Sequence, residues 1–154
     1  MIQKAIAVFD DKIKGTVRFT EDIENNCVLI ELDLKGLKKN ALHGFHVHTF
    51  GDLSKKCDSM CGHFNPYQKQ HGGNLSRERH VGDLGNIQTD EKGCASYQFI
   101  DKHIKLRGTK ANIIGRGLII HEDPDDCGKG NNANSLINGN AGKRIACAVI
   151  GYAS

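Results

Sequence analysis

The stretch Gln3-Lys4-Ala5-Ile6-Ala7-Val8-Phe9 alternates along the chain, which places Ala5, Ala7 and Phe9 on one face of an extended segment. Successive side chains of a β-strand point to opposite faces, so a period of two predicts a strand with one buried face. The same pattern resumes at residues 14–20, after a polar turn at 10–12. We therefore predict that the chain opens with two β-strands.

Six further short runs have the character of strands, and signals for helices are nearly absent. The 18 glycines suggest many turns, together with asparagine and aspartate. Eight short strands separated by such turns predict an all-β fold, either an eight-stranded sandwich or a flattened barrel. No repeat or linker interrupts the chain, so we expect one domain over residues 1–154. The six further runs are residues 27–34, 42–48, 83–88, 95–100, 117–121 and 145–150.

Two long segments, residues 49–79 and 122–143, are polar and rich in glycine and do not have the character of strands. Long connections of this kind are uncommon in compact domains and are usually functional. Each segment begins directly after a predicted strand that carries histidine. We therefore expect both loops to be functional.

The composition limits the classes of partner. The formal net charge of +3 is mild, and no Lys/Arg cluster lies on a plausible recognition helix, so we expect no nucleic-acid partner. Residues 1–9 lack the basic start and long apolar run of a signal peptide, and no stretch approaches the length of a membrane span. We expect a soluble, cytoplasmic protein, in which cysteines are usually free thiols or metal ligands.

Five of the eight histidines lie between positions 46 and 80. His46 and His48 are two residues apart on a predicted strand, so both rings face one side and can bind one metal. Taken alone, this pair is also compatible with a solvent-exposed strand. His121 ends another predicted strand, where a histidine can bind a metal or simply border a loop. With a fourth imidazole, these three would form the nitrogen set that suits Cu(II).

A second group of possible ligands consists of His63, His71, His80 and Asp83, which are 8, 9 and 3 positions apart. This spacing is too irregular for one strand or helix, but a folded loop with glycines at its turns can gather the four side chains. Three imidazoles and one carboxylate form a closed set typical of structural zinc. A polar loop with unrelated histidines is the alternative.

Several motifs along the chain resemble those of the copper/zinc superoxide dismutase family, and the resemblance covers nearly the whole chain. It implies a Greek-key β-sandwich and an enzyme that converts superoxide to oxygen and hydrogen peroxide. The motifs are Gly44-Phe45-His46-Val47-His48-Thr49-Phe50, His63-Phe64-Asn65-Pro66, His71-Gly72-Gly73, Arg79-His80-Val81-Gly82-Asp83-Leu84-Gly85-Asn86 and Gly139-Asn140-Ala141-Gly142-Lys143-Arg144-Ile145-Ala146-Cys147-Ala148-Val149-Ile150.

The resemblance also implies a ligand set for one copper and one zinc in each subunit. Copper would be bound by His46, His48, His63 and His121, and zinc by His63, His71, His80 and Asp83. His63 would then bridge the two metals as an imidazolate and exchange a proton during copper redox cycling.

Three other features of the site follow from the same resemblance. Asp125 would hydrogen-bond one copper histidine and one zinc histidine, which orients both rings. Arg144 would supply a permanent positive charge beside copper for the superoxide anion. Cys57 and Cys147 would form a disulfide within the subunit.

The remaining cysteines, Cys27, Cys61, Cys94 and Cys127, are expected to be free thiols. Pairing of Cys57 with Cys61 is a formal alternative to the implied disulfide.

The second long loop departs from the family pattern, in which two acids and a lysine steer the substrate. This chain has Ala133, Asn134 and Ile137 in that segment, and Asn138 where a threonine is usual. We therefore predict a dependence of rate on ionic strength unlike that of relatives with the full set.

Assembly and activation are also implied by the resemblance. Apolar segments at 50–51, 114–115 and 150–151 match the family's dimer interface, which predicts a homodimer, although Leu53 and Tyr152 differ in detail. Relatives that need a copper chaperone often have proline beside the arginine, whereas Arg144 here lies between Lys143 and Ile145. We predict activation without a chaperone.

Two other classes of protein compete with this interpretation. A non-catalytic copper/zinc carrier or metal buffer on the same sandwich would tend to lose copper ligands or the arginine, whereas this chain keeps all seven ligands and Arg144. A structural sandwich module would leave the ligand set unexplained.

Overall fold

The computed structural model describes residues 2–154, and its strands form two antiparallel sheets. The first sheet has the order β10-β1-β2-β3-β7 and the second the order β6-β4-β8-β9. The strands are β1 (Gln3–Asp10), β2 (Lys14–Asp22), β3 (Cys27–Lys35), β4 (Leu42–His48), β5 (Ser54–Cys57), β6 (Asp83–Gln88), β7 (Ala95–Asp101), β8 (Gly117–His121), β9 (Arg144–Val149) and β10 (Gly151–Tyr152).

The core lies between the inner faces of the sheets, as the alternation predicts. Ala5, Ala7 and Phe9 of β1 are buried in one apolar cluster with residues of the second sheet such as Phe45 and Val47. The chain leaves the first sheet after β3 and returns at β7, which pairs with β3. That connection across the two sheets is of the Greek-key type.

The two central strands of the second sheet, β4 and β8, are buried on both faces, which creates a protected site. In β4 every residue after Leu42 is buried, and β8 is buried throughout. Phe45 and Val47 occupy the core face, so His46 and His48 lie on the opposite face, beneath the two long loops.

All eight predicted strands are present, and the sandwich prediction is confirmed. Within residues 2–154 the two sheets do not close into a barrel. The sequence patterns missed β5, β10, a 3₁₀ turn at Asp58–Met60 and the helix α1 (Ser135–Asn138). These elements have two to four residues, too few to show a period, and contacts from elsewhere hold them; His71 N–H, for example, donates to Leu136 O at 2.9 Å.

No helix in the described part of the chain is long and apolar enough to cross a membrane. The expectation of a single domain over residues 1–154 stays a prediction.

Candidate metal centre

Four histidines converge on the outer face of the second sheet. Ligand nitrogens of His46, His48, His63 and His121 all lie within 4.8 Å of one another. The first two come from β4 and the last ends β8, its neighbour in the sheet. Gly44 leaves room beside them, because a Cβ there would lie 3.4 Å from His121 Cβ and 2.6 Å from Ala141 Cβ.

Backbone pairing delivers His63 to this cluster. Phe64 N–H donates to Val47 O at 2.8 Å, and Thr49 N–H donates to Gly62 O at 2.9 Å. The loop therefore runs antiparallel to the end of β4, with His63 opposite His48.

Each of these four histidines has one buried ring nitrogen without a hydrogen-bond partner: His46 Nδ1, His48 Nε2, His63 Nε2 and His121 Nε2. The other nitrogen of each ring is engaged, and that of His63 lies 2.9 Å from Asp83 Oδ1. His46 Nε2 lies 2.5 Å from Asp125 Oδ2, His48 Nδ1 lies 2.7 Å from Cys61 O, and His121 Nδ1 lies 3.1 Å from Gly142 O. Because the engaged nitrogens carry the protons, the free lone pairs face one another.

Burial keeps these rings neutral. It lowers the pKa of His46 and His48 well below the usual value, lowers that of His63, and lowers that of His121 to about 4. Four neutral imidazoles with converging lone pairs are donors that suit Cu(II).

A second set gathers around the carboxylate of Asp83. Its Oδ1 atom lies 2.9 Å from His63 Nδ1, 3.0 Å from His71 Nδ1 and 3.2 Å from His80 Nδ1. Its Oδ2 atom accepts backbone N–H groups of Gly72 at 3.0 Å and His80 at 2.8 Å, which fixes the carboxylate. Three nitrogens and one oxygen at these separations fit the tetrahedral coordination of zinc.

His46 also approaches the second set, since His46, His63, His71 and Asp83 have ligand atoms within 4.8 Å of one another. Its Nε2 is nevertheless bonded to Asp125, and its Nδ1 is a free lone pair of the first set. We therefore assign His46 to the first set and His80 to the second.

Hydrogen bonds within the second set shift the pKa values of two of its members. Burial opposes ionisation of Asp83, but hydrogen bonds from His63, His71 and His80 hold its pKa well below its usual range. Burial likewise lowers the pKa of His71, but hydrogen bonds to Asp125 and Asp83 outweigh it and raise that pKa to about 9. Asp83 is therefore available as an anionic ligand.

His63 belongs to both sets. Its Nε2 is the free atom of the four-histidine set, and its Nδ1 lies 2.9 Å from Asp83 Oδ1 and 3.2 Å from His80 Nδ1. One imidazole thus presents a nitrogen to each side.

Asp125 ties the two sets together beneath the loops. Its carboxylate contacts His46 Nε2 at 2.5 Å and His71 Nε2 at 2.8 Å. Asn86 holds the Asp125 backbone on both sides, donating to its carbonyl at 2.9 Å and accepting its N–H at 2.7 Å. A Cβ at Gly139 would lie 2.1 Å from Asp125 Oδ1, so only glycine fits there.

Two residues of this support had no assigned role in the sequence analysis. Asn86 ends the motif that begins at Arg79, and this position is the only sign of a role for it in the sequence. His43 lies on the core face of β4, is fully buried and hydrogen-bonds His121 O through Nδ1 at 2.8 Å. A histidine at an apolar position of the alternation was the available signal for His43.

Arg144 stands at the mouth of the site. Its Nη1 donates to Cys57 O at 2.9 Å, and Cys57 forms the predicted disulfide with Cys147, which is confirmed. The other four cysteines are free.

The pocket in front of the histidines encloses about 690 Å³. Lys69 and Arg144 line it, and none of the described residues in its wall is a carboxylate. Ala133, Ile137 and Asn138 of the divergent loop also line it, whereas Asn134 stands just before α1. The mouth therefore carries positive charge beside an apolar lip.

A β-sandwich with a four-nitrogen set and a zinc-type set joined through one imidazole defines a two-metal redox protein. Residues 13–150 match the family model for copper/zinc superoxide dismutase. The chain is 60% identical over 149 residues to superoxide dismutase [Cu-Zn] of Paramecium bursaria Chlorella virus 1, covering 97% of this chain and 78% of that protein. It is 51% identical over 150 residues to superoxide dismutase [Cu-Zn] of Yarrowia lipolytica, covering 96% and 97%.

Among solved structures, the clock protein EA4 superposes with a TM-score of 0.93 at 42% identity, over 97% of this chain and 94% of that one. The chain belongs to the copper/zinc superoxide dismutase family. It is an oxidoreductase that acts on superoxide, and its cofactors are copper and zinc.

Proposed function

We propose that His63 is shared between the two metals of this dismutase. The supporting observation is the placement of its two ring nitrogens, one with the free lone pairs and one beside Asp83. Copper would then be held by His46 Nδ1, His48 Nε2, His63 Nε2 and His121 Nε2, and zinc by Asp83 Oδ1 and the Nδ1 atoms of His63, His71 and His80.

Copper, once bound, supplies the one-electron chemistry that converts superoxide to oxygen and hydrogen peroxide, while zinc contributes charge without redox change. His63 lines the pocket, so its Nε2 atom can hold a proton and release it toward the product. Asp125 keeps the rings of His46 and His71 in orientation.

Arg144 binds the anionic substrate. Its Nη1 atom is anchored on Cys57 O, which leaves the other N–H groups of the guanidinium available to an anion in the pocket that it lines. A guanidinium stays charged at working pH and therefore attracts superoxide throughout turnover.

The shared ligand is tested by magnetic coupling. We expect protein loaded with copper and Co(II) to show a strongly weakened Cu(II) electron paramagnetic resonance signal, because a bridging imidazole couples the two ions. His63→Ala should restore the ordinary Cu(II) signal, whereas His103→Ala, outside both sets, should leave the coupling intact. A coupled signal in His63→Ala would exclude His63 as the bridge.

Lys69 should steer superoxide in place of the missing loop charges. We expect Lys69→Gln to lower kcat/KM about 2–3-fold at low salt and to flatten its dependence on ionic strength. The loss should disappear in high salt, where the charge is screened. Lys38→Gln, an exposed lysine outside the pocket, is the control. Equal slopes for Lys69→Gln and wild type would remove Lys69 from the steering role.

We further propose that the protein is a homodimer. Phe50, Leu53 and Tyr152 are half or more exposed, although each is large and apolar or aromatic. Their segments adjoin: a Cβ at Gly51 would lie 2.1 Å from Gly115 O, and Gly115 N–H donates to Ile150 O at 2.7 Å. Exposed apolar side chains on adjoining segments are typical of a protein interface.

Sedimentation velocity tests the dimer. We expect wild type to sediment as a dimer and Phe50→Glu/Leu53→Glu as a monomer, because charges would be buried in the interface. Leu75→Glu, at a 91% exposed leucine of the first long loop, should stay dimeric. A dimeric double variant would place the interface elsewhere.

A cytoplasmic location and activation without a copper chaperone complete the proposal. Four free cysteines beside one disulfide are in keeping with a reducing compartment. Fractionation of the host cell tests the location, and copper-free, inactive protein from a chaperone-deficient host would contradict the mode of activation.

A further inference from the structure

The connection between β7 and β8 carries a dense group of positive charges: Lys102, Lys105, Arg107 and Lys110. The four side chains line a surface groove of about 420 Å³ together with Tyr67. None of the described residues that line this groove is a carboxylate, and none of them lines the metal pocket. The groove is therefore a separate, positively charged surface.

Little of this charge is neutralised. Lys105 Nζ donates to three neutral oxygens, Asn26 Oδ1 at 2.8 Å, Lys102 O at 3.2 Å and Asn26 O at 3.3 Å, and Lys110 Nζ lies 5.4 Å from the centre of the Tyr67 ring. Of the four, Arg107 forms an ion pair, with Glu21 at 3.0 Å. The three lysines together carry a charge of +3, which equals the formal net charge of the whole chain, so the formal charges of all other residues sum to zero.

The backbone under the groove is held in place before any ligand binds. Ile104 and Leu106 are fully buried, whereas Lys105 is half-buried and Arg107 is exposed. Lys105 N–H donates to Ala111 O at 3.0 Å, which closes the segment on itself.

The start of the segment is anchored by Asp101. Its Oδ1 accepts the N–H groups of His103 at 2.8 Å and Ile104 at 3.0 Å, and its Oδ2 pairs with the buried Arg79 at 2.6 Å. Those bonds occupy both oxygens of this buried carboxylate. Such preorganisation reduces the entropy lost on binding.

We propose that this groove binds an oligophosphate chain, the group shared by inorganic tripolyphosphate and the triphosphate of a nucleotide. Several cations in one groove match a ligand with several adjacent negative charges better than a single anion. The volume lies within the range of small-molecule sites. Tyr67, beside Lys110, adds a flat aromatic face that a nucleotide base could contact.

Isothermal titration of the metal-loaded protein with tripolyphosphate, in about 0.1 M salt, tests the proposal. We expect tripolyphosphate to bind at least about tenfold more tightly than inorganic phosphate, and Lys102→Gln/Lys110→Gln to lose at least about tenfold in affinity. Lys38→Gln/Lys39→Gln carries the same change of net charge on exposed lysines elsewhere and should stay within about twofold of wild type.

Equal affinities for phosphate and tripolyphosphate, or equal losses in the two double variants, would overturn the proposal, because either result means nonspecific attraction. Metal content is measured after each titration, since phosphate chains chelate metals. If heat is released together with metal loss, and the same heat is seen with Lys102→Gln/Lys110→Gln, the signal comes from chelation and the proposal is overturned. Titration with ATP distinguishes the two sources of the oligophosphate. If ATP binds more tightly than tripolyphosphate and Tyr67→Leu abolishes this difference, the ligand is a nucleotide. If the two affinities are equal, the ligand is the inorganic chain.

Discussion

Replacing His121 by alanine should lower the dismutase rate by at least about 100-fold while zinc stays bound. Loss of a metal ligand reduces activity more than loss of a residue that only hydrogen-bonds a ligand. His121 Nε2 is one of four buried lone pairs that converge on the copper side. Its ring is absent from the contacts around Asp83, so the zinc set keeps all its members. Metal analysis by mass spectrometry, paired with a superoxide assay, measures both effects.

His103→Ala is the matched control, since His103 is a histidine of the β7–β8 connection outside both ligand sets. It should keep copper, zinc and the full rate. Full copper occupancy and turnover in His121→Ala would contradict the ligand assignment. Wild-type protein that binds copper without turnover would favour the alternative of a metal carrier.

The sandwich was predictable because its long strands alternate over a single core. In β1 and β3 the period of two extends over eight or nine residues, enough to be recognised without tertiary information. In contrast, β10 has only two residues, and α1 has only four residues and no side-chain hydrogen bond at its N-cap. Such elements form because neighbouring segments bond to them, which no local pattern reports.

The candidate site was predictable to a similar, limited extent. The two-residue spacing of His46 and His48 implies a common face, and β4 places them there. The position of His63 depends on backbone pairing of a loop with the end of β4, which spacing alone does not encode. For that residue the family resemblance, rather than periodicity, supplied the expectation.

The residues that support the ligands were still harder to predict from the sequence. Asp125 reaches both ligand sets only because Asn86 holds its backbone and Gly139 leaves space for its carboxylate. Asn86 and Gly139 are not of the residue types that usually bind copper or zinc, so a search for ligand spacing passes over both. The packing of two loops against each other determines this part of the site.

Removal of the disulfide should have the largest effect on stability. Cys57 and Cys147 are 90 positions apart, and loop-closure entropy at that length predicts that Cys57→Ser/Cys147→Ser loses about 4–5 kcal/mol of unfolding free energy. For a chain of this size, that corresponds to a fall in Tm of roughly 10–15 °C. Urea and thermal unfolding of metal-free and metal-loaded protein measure the loss. Cys61→Ser/Cys94→Ser, which makes the same chemical change at two free cysteines, should cost far less.

The same variant should also impair catalysis, because the disulfide holds the carbonyl that anchors Arg144. We expect a several-fold lower kcat/KM with a weaker dependence on ionic strength, since a mobile guanidinium attracts the anion less effectively. Copper and zinc content should be retained, which separates this effect from loss of metal. If stability falls but kcat/KM and its salt slope are unchanged, the Cys57 carbonyl does not position Arg144, and the disulfide acts on the fold alone.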